Sequence, residues 1–440
     1  MRIRIFNANI LTMKDDKIIF GEIIIENNKI QNIIEYGENS SYLDYGNYGL
    51  NSDNERVKWD RQIDANGNLI LPGFKNAHSH SGMTFLRSYA DDLPLNEWLF
   101  DKVFPLEAKI KNYPEELYWC NILGNMEYLS SGITANFDMY IFNEVSAKAS
   151  RDSMFRTVMV DSINDFGGTL EQLEEDYLKY NEYDELLSFK LGFHAEYTTK
   201  KETLQGIVNL AHKYKAPIFT HLSETKKEVD ECVERYGKTP GIFLNDLGMF
   251  DYGGGGFHCV HLTEEEMEVL GKKDFNVVTN PAANLKLASG IAPIEKIRSY
   301  GINVAIGTDG PAGNNALDIF REMFLVTGLQ KAITEKADVL DAFDVLKMAT
   351  VGGAKAMGLD DADVLAPGKL ADLVMLDVHK PNMTPGINPA KSIVYSGSKD
   401  NVKLTMVNGR ILYEDGKFNI GVDPEYVYNR VNNCINKISE

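Results

Sequence analysis

Two histidines that are two positions apart, His78 and His80, could bind one metal ion together. They follow the apolar run that begins at Leu69, which is typical of a buried β-strand. Residues two apart on a strand point to the same side, and imidazole is a common ligand of zinc, copper and iron. His-x-His spacing also arises by chance at protein surfaces, so this pair predicts a metal site only if further ligands join it.

Two further candidate ligands, His221 and Asp309, each end a short apolar segment of their own. Taken singly, His221 could be a hydrogen-bonded core histidine and Asp309 a helix N-cap before Gly310. If the segments are parallel strands of one barrel, their ends meet at the same rim. Three histidines and one aspartate can hold a divalent ion and leave a position for water, whose pKa the ion lowers toward ~7.

Two other groups have the chemistry of an acid–base catalyst. Glu224 follows His221 by three residues and could carry a proton over the substrate, while His258 ends another apolar segment and could orient the attacking water. Asp309 could accept the proton of that water. The simpler interpretation of Glu224 is a first-turn helix glutamate, which the helix dipole favours.

The segments that carry these residues alternate between apolar runs and longer amphipathic stretches from Leu69 onward. This alternation indicates βα units and a parallel sheet, hence an α/β protein. Eight candidate strands predict a (β/α)₈ TIM barrel over residues 71–365. They end near His78, Asp138, Asp161, His194, His221, His258, Asn280 and Asp309.

Both ends of the sequence are rich in short β-branched runs and turn residues. Residues 1–70 and 366–423 therefore predict one small composite β-sandwich domain, with the barrel inserted between its halves. Asn408-Gly409, between two alternating runs, predicts a tight hairpin. Gly37 to Glu55 has little apolar periodicity and predicts an exposed insertion, and residues 424–440 predict a terminal helix.

The composition narrows the class of protein. The chain has 440 residues and a formal charge of −19, which disfavours binding to nucleic acid or anionic membranes. No stretch of about 18 apolar residues predicts a membrane span, and the first residues turn polar too early for a secretory signal. The four cysteines show no C-x-x-C spacing, so we expect no disulfide framework and a reduced, cytoplasmic location.

Several motifs in this sequence resemble the amidohydrolase superfamily, and within it the methylthioadenosine/S-adenosylhomocysteine deaminase and chlorohydrolase branch. The resemblance covers nearly the whole chain. It is carried by Pro72-Gly73 before His78-Ser79-His80, Thr220-His221-Leu222-Ser223-Glu224, His258-Cys259-Val260-His261-Leu262, Asn280-Pro281 with Asn284-Leu285-Lys286-Leu287-Ala288-Ser289-Gly290, Gly307-Thr308-Asp309-Gly310, and Pro367-Gly368-Lys369-Leu370-Ala371-Asp372.

The resemblance implies a mononuclear metal site, usually with zinc and sometimes with iron, whose ligands match His78, His80, His221 and Asp309. Glu224 then matches the carboxylate that protonates a ring nitrogen. A small-molecule substrate and a homo-oligomer are further expectations from the resemblance.

The resemblance also implies substrate contacts. Residues 87–107 look like the lid of the members that deaminate adenosine, where Trp98 would line the base pocket and Glu107 would hold ribose hydroxyls. His194 resembles the residue placed near the nucleoside, and His258 the histidine beside the attacking water. On physical grounds alone, Trp98 is more often a core residue and Glu107 a solvated helix residue.

One segment departs from the pattern of deaminases that accept the homocysteine adduct. Those enzymes are expected to have a basic residue near the end of strand three, but here Asp161 and Ser162 stand there. An aspartate at the mouth would repel a substrate carboxylate, which predicts a preference for neutral 5′ groups.

These observations predict a metal-dependent aminohydrolase that acts on an adenine nucleoside such as adenosine, 5′-deoxyadenosine or methylthioadenosine and releases ammonia. One alternative keeps the machinery but acts on a free amino-heterocycle of the guanine, pterin or triazine type. A second alternative is a non-catalytic barrel that serves as an assembly module.

Overall fold

A computed structural model of the chain describes residues 1–37 and 58–439. Most of the insertion predicted from Gly37 to Glu55 lies outside these residues. The eight predicted barrel strands all form, and their bounds are β6 (Phe74–Ser79), β7 (Ile133–Met139), β8 (Arg156–Val160), β9 (Leu187–Ala195), β10 (Ile218–Leu222), β11 (Gly254–His258), β12 (Phe275–Thr279) and β13 (Asn303–Ile306).

These strands form one parallel sheet in sequential order from β6 to β13. Beyond the end of β13, the Asp309 amide donates to the carbonyl oxygen of His78 over 3.0 Å, which brings the last strand back to the first. Gly307 permits this approach because it has no Cβ. A Cβ at this position would lie only 2.7 Å from the backbone nitrogen of His78. The result is a nearly closed barrel, as the sequence predicts.

Helices surround the barrel and supply its connections. They are α1 (Phe104–Ile110), α2 (Pro114–Ser130), α3 (Asn143–Asp152), α4 (Leu170–Tyr180), α5 (Lys201–Tyr214), α6 (Lys226–Tyr236), α7 (Pro240–Asp246), α8 (Glu264–Leu270), α9 (Pro281–Lys286), α10 (Ile294–Ser299), α11 (Ile319–Thr334), α12 (Ala342–Lys347), α13 (Gly353–Met357), α14 (Pro389–Tyr395) and α15 (Pro424–Ser439). A 3₁₀ segment, Ser81–Leu86, and a π-helical segment, Glu97–Val103, lie between β6 and α1. Among the described residues, no helix is both long and apolar enough to cross a membrane.

The two β-rich ends of the chain join in one nine-stranded sheet. Its strands are β1 (Arg2–Leu11), β2 (Ile18–Glu26), β3 (Lys29–Glu35), β4 (Arg61–Asp64), β5 (Leu69–Pro72), β14 (Leu373–Leu376), β15 (Val402–Val407), β16 (Arg410–Glu414) and β17 (Lys417–Phe418). In its middle, β5 lies between β1 and β14, and Leu69 pairs with Leu376.

One face of this sheet has its own core, since Ile5, Ile23, Leu373 and Met406 belong to a buried cluster separate from that of the barrel helices. The sequence predicts a TIM barrel with a small β-sandwich domain built from both chain ends. The barrel and the union of both chain ends in one β-rich sheet are confirmed. The exact domain divisions stay a prediction.

Specific contacts tie the small sheet and the last helix to the barrel. Arg156 of β8 forms a buried, two-bond ion pair with Asp372, at 2.7 and 3.2 Å. Helix α15 packs on α2, where Arg430 lies 3.1 Å from Glu116. The predicted hairpin is present, because Asn408 and Gly409 join β15 to β16 with φ of 50° and 73°. Two consecutive positive φ values are what a type I′ turn requires.

Candidate metal centre and active site

The four predicted ligands meet at the C-terminal rim of the barrel. Oδ1 of Asp309 lies 3.2 Å from Nε2 of His80 and 3.6 Å from Nε2 of His78. The ring of His221 lies 5.0 Å, centroid to centroid, from that of His78. One ligand atom from each of these three histidines falls within 4.8 Å of the others, and the same holds for His78, His258 and Asp309. The site thus brings together residues from β6, β10, β11 and the turn after β13.

Backbone and amide oxygens orient three of the histidine rings. Nδ1 of His80 lies 2.6 Å from the Met139 carbonyl oxygen, and Nδ1 of His221 lies 2.7 Å from that of His194. Nδ1 of His258 lies 2.7 Å from Oδ1 of Asn284. Because these oxygens are acceptors, each Nδ1 carries a proton, and Nε2 is the ring nitrogen left without such a partner. Metal-binding histidines are commonly oriented in this way.

The fourth histidine, His78, has no exposed surface, and neither of its ring nitrogens has a hydrogen-bond partner among the described residues. It stacks on Phe257 with 3.9 Å between ring centroids. Buried nitrogens without partners are rare in proteins. Burial, and next the neighbouring His80, hold the pKa of His78 well below its usual value. A neutral imidazole with an unpaired nitrogen is what a metal ion requires, so the site fits a divalent cation.

Asp309 supplies the negative charge of the cluster. Burial acts to raise its pKa, but the hydrogen bond and charge of His80 outweigh that effect and keep the pKa below its usual value. Conversely, burial acts to lower the pKa of His80, and Asp309 reverses this and raises it to about 9. The backbone of Asp309 is left-handed, with φ of 60°. Such strain in a non-glycine residue is frequent at functional sites.

Glu224 and His258 face each other beside the four ligands. Oε1 of Glu224 lies 3.8 Å from Nδ1 of His258 and accepts a hydrogen bond of 3.3 Å from the Ser289 hydroxyl. Burial raises the pKa of Glu224, although the charge of His258 opposes this shift. A raised pKa favours the protonated form of a carboxyl group, which can deliver its proton to a substrate.

A cavity opens over the cluster. It is lined by His80, Met83, Leu95, Trp98, Leu99, Phe104, Glu107, Met139, Tyr140, Ile141, Ser162, Asn164, His194, Tyr197, His221, Glu224, His258, Leu287 and Asp309. Trp98, Glu107 and His194, which the resemblance placed near the substrate, are among these residues. Burial raises the pKa of Glu107 to about 7, against the opposing effects of His80 and Tyr140. Burial, and next His80, lower the pKa of His194 to about 3, so its ring is neutral.

The sequence did not single out several wall residues. Between ring centroids, Phe104 of α1 lies 5.9 Å from His194 and 6.1 Å from Phe166. It therefore packs the segment of residues 87–107 against the loop after β8. Tyr140 and Asn164 enter from the loops after β7 and β8. The one feature of the sequence that pointed to them was their position, since each comes within a few residues of a predicted strand end.

The interpretation of Asp161 as a charge at the cavity mouth was wrong. Its Oδ2 accepts a hydrogen bond of 3.0 Å from Asn143 of α3, and its Oδ1 accepts one of 2.7 Å from the Ile163 amide. The side chain is buried between the barrel and its helices and is absent from the cavity wall, where Ser162 and Asn164 stand instead. Asp161 therefore gives no reason to exclude a substrate carboxylate.

A nearly closed parallel barrel with three histidines and one aspartate at its C-terminal rim can hold a divalent ion where barrel enzymes have their active sites. The model of the amidohydrolase family matches residues 69–412. The chain belongs to this family, which confirms the expected hydrolase class acting on carbon–nitrogen bonds. The family is metal-dependent.

Named relatives share nearly the whole length of the chain. It is 38% identical to a 5-methylthioadenosine/S-adenosylhomocysteine deaminase of Caldanaerobacter subterraneus subsp. tengcongensis, covering 98% of this chain and 97% of the relative. It is 37% identical to a 5′-deoxyadenosine deaminase of Methanothermobacter thermautotrophicus, covering 92% of each. An adenosine deaminase structure from Xanthomonas campestris, with bound zinc, is 28% identical with a TM-score of 0.91, covering 99% of this chain and 98% of that one.

Proposed function

We propose that this protein is a hydrolytic deaminase of an adenine nucleoside such as adenosine, 5′-deoxyadenosine or methylthioadenosine. The observation that carries the proposal is the placement of Glu224, a buried carboxyl group with a raised pKa, 3.8 Å from His258 and beside the four ligands. A deaminase needs this combination, because water must add to a ring carbon while a neighbouring ring nitrogen gains a proton.

His78, His80, His221 and Asp309 would hold one divalent cation. Zinc suits imidazole and carboxylate donors, and the Xanthomonas campestris neighbour was solved with bound zinc. When bound, the cation acts as a Lewis acid that lowers the pKa of a coordinated water toward ~7.

Two side chains carry the proton movements, and a third orients the water. Asp309, kept ionised, accepts the proton of the attacking water. Glu224 protonates the ring nitrogen next to the carbon under attack, so no unpaired negative charge builds up on the ring. Asp309 then passes its proton to the amine, which departs as ammonia when the C–N bond breaks. The ionised Glu224 takes the remaining proton of the added hydroxyl group as the carbonyl forms, which restores both carboxyl groups. His258 orients the water, since its Nδ1 is bound to Asn284 and one of its ring nitrogens lies within 4.8 Å of ligand atoms of His78 and Asp309.

The cavity wall supports a nucleoside as the substrate. Trp98 offers an aromatic surface for the base, and the carboxyl group of Glu107 can hold ribose hydroxyls through hydrogen bonds. His194 is neutral and lies on the same wall, where its imidazole can donate or accept a hydrogen bond. The names of the two sequence relatives, which refer to deamination of adenine nucleosides, agree with this assignment.

A panel of compounds tests the proposal by ammonia release. It contains adenosine, 5′-deoxyadenosine, methylthioadenosine, S-adenosylhomocysteine, guanine, cytosine, a pterin and an aminotriazine. We expect turnover of the adenine nucleosides, with a kcat/KM well above that for the free heterocycles. Turnover of a free heterocycle alone would instead favour the guanine, pterin or triazine type of hydrolase.

A further inference from the structure

A second buried glutamate, Glu228, holds the turn that presents Glu224 to the cavity. Its Oε1 accepts a hydrogen bond of 2.7 Å from the Ser223 amide, and its Oε2 accepts one of 2.8 Å from the Glu224 amide. Glu228 lies in the first turn of α6 and is 3% exposed. One carboxyl group therefore binds the amides of two consecutive residues in the turn between β10 and α6.

The turn needs such support because Ser223 has a left-handed backbone, with φ of 49°. A non-glycine residue keeps this conformation only where its surroundings impose it. The Ser223 carbonyl oxygen is held by the His261 amide over 2.9 Å, and the Thr225 hydroxyl caps α6 by accepting from the Glu228 amide over 3.1 Å. The carboxyl group of Glu228 supplies the remaining restraint, on the amide side of the turn.

The side chain of Glu224 has few anchors of its own. Its carboxyl group has the 3.3 Å contact with Ser289 and lies 3.8 Å from His258, so the direction of its Cα–Cβ bond decides how it enters the cavity. Glu228 is absent from the cavity wall and would not touch the substrate. Any effect of Glu228 on the reaction must therefore act through Glu224.

We propose that Glu228 is a positioning residue for deamination: its carboxyl group fixes the Ser223–Glu224 turn so that Glu224 reaches the ring nitrogen of the substrate. This inference rests on the proposed function of Glu224 as the proton donor. Effective proton transfer needs a donor within hydrogen-bond reach of its acceptor, and a misplacement of about 1 Å can cost roughly 100-fold in rate.

The variant Glu228→Gln tests the role at nearly constant side-chain size. Burial, and next the charge of Glu224, raise the pKa of Glu228 to about 8, whereas its hydrogen bonds to the Glu224 and Ser223 amides act to lower it. The glutamine amide keeps one acceptor oxygen but sets an NH₂ group against a backbone N–H donor. A fall in rate then reports the changed hydrogen bonding of this turn.

Glu266→Gln is the matched control. Glu266 also lies in the first turn of a helix, α8, and is fully buried. Its Oε1 accepts from the Gly241 amide over 2.8 Å, and its Oε2 accepts from the Thr263 amide over 2.7 Å. It does not line the cavity. The two substitutions remove the same kind of hydrogen bond, but only one of them lies on the Glu224 turn.

For the nucleoside that the wild-type enzyme deaminates fastest, we expect Glu228→Gln to lower kcat by about 10- to 100-fold. KM should stay within about twofold and the metal content should be unchanged, while Glu266→Gln keeps kcat near wild type despite a comparable fall in Tm. Wild-type kcat in Glu228→Gln, or equal losses of kcat in both variants, would overturn the inference.

Hydrogen–deuterium exchange gives a readout that needs no substrate. The Glu224 amide should exchange faster in Glu228→Gln than in wild type and in Glu266→Gln, because its acceptor is weakened. Unchanged protection in Glu228→Gln would refute the restraint on the turn. If no adenine nucleoside is deaminated but exchange rises as expected, the proposed function fails while the anchoring of Glu224 by Glu228 stands.

Discussion

The backbone amide of Asp309 donates to the carbonyl oxygen of His78 over 3.0 Å, while the Asp309 carboxylate lies 3.6 Å from Nε2 of the same histidine. Two candidate ligands, one on the first barrel strand and one just after the last, are thus joined by both backbone and side chain. The contact that brings the last barrel strand to the first also sets the spacing of the metal site. Loss of a bound ion should therefore lower the unfolding free energy of the barrel as well as the rate of catalysis.

Zinc should stabilise the protein through this cluster. A ligand that binds only the folded state at about 1,000 times its Kd adds about 4 kcal/mol to the unfolding free energy. We expect a gain of this size when zinc is added to the metal-free wild-type protein, measured by denaturant unfolding. His221→Ala should lose most of the gain and most of the bound metal. The control is His212→Ala, which changes a half-exposed histidine paired with Asp251; equal gains in both variants would contradict the assigned ligands.

Replacing the proposed proton donor should stop turnover without removing the metal. Glu224→Gln keeps the shape of the side chain but has no acidic proton, so we expect kcat to fall by about 100- to 10,000-fold. Metal content, measured by atomic emission, should equal that of wild type. Glu231→Gln changes a partly exposed glutamate of α6, the helix that follows Glu224, and should leave kcat unaltered. Normal kcat in Glu224→Gln would exclude the role.

The ribose contact can be separated from the chemistry by comparing substrates. Glu107→Ala should raise KM for adenine nucleosides by about 10- to 100-fold, since a hydrogen bond to a charged group is worth about 1.5–3 kcal/mol. Any turnover of free bases should stay as in wild type, because they have no ribose. Glu97→Ala, on the same lid but exposed, is the control. A rise in KM of equal size for nucleosides and free bases would argue against ribose binding by Glu107.

Asp161 should make the unfolding free energy depend on pH. Burial, despite the hydrogen bond from Ile163, raises its pKa to about 7 from the usual 3.8. The folded state therefore binds a proton that the unfolded state releases between pH 3.8 and 7. Stability from this group is present at low pH and is lost as pH rises through about 7.

The variant Asp161→Asn carries no titrating group at this position, so its stability should decline less across this window than that of wild type. Each unit of pKa difference corresponds to about 1.4 kcal/mol, which sets the upper limit of the effect. Urea unfolding from pH 4 to 8 measures the difference between the two proteins. Asp338→Asn, at an exposed position, provides the comparison. A difference between Asp161→Asn and wild type that stays constant with pH would rule out a raised pKa for Asp161.

The strand ends and the four candidate ligands could be predicted from the sequence because both depend on local pattern. An apolar run that stops at His221 or Asp309 marks a strand end, and parallel strands bring their ends to one rim. The direction of a side chain at such an end depends on tertiary partners instead. Asp161 turns toward Asn143 on α3, and no local feature of either segment signals that contact.

The contacts that orient the site residues could not be predicted from the sequence for the same reason. The Met139 carbonyl oxygen orients His80, and Asn284 orients His258, across gaps of 59 and 26 residues. Glu228 looks like an ordinary first-turn glutamate until the structure shows its carboxyl group on the Ser223 and Glu224 amides. Residues that act through other residues become visible only when the chain is folded.

Strand β5 pairs with β14 on one side and with β1 on the other, and β6 begins two residues after β5 ends. During synthesis, β14 leaves the ribosome long after β5. One edge of β5, the strand that leads into His78, therefore stays unpaired until most of the barrel has been made. Contacts between such distant segments form slowly, and an unpaired strand edge can pair with another chain in the meantime. Truncation of the gene from its 3′ end should therefore give insoluble protein rather than a folded barrel that lacks only its metal.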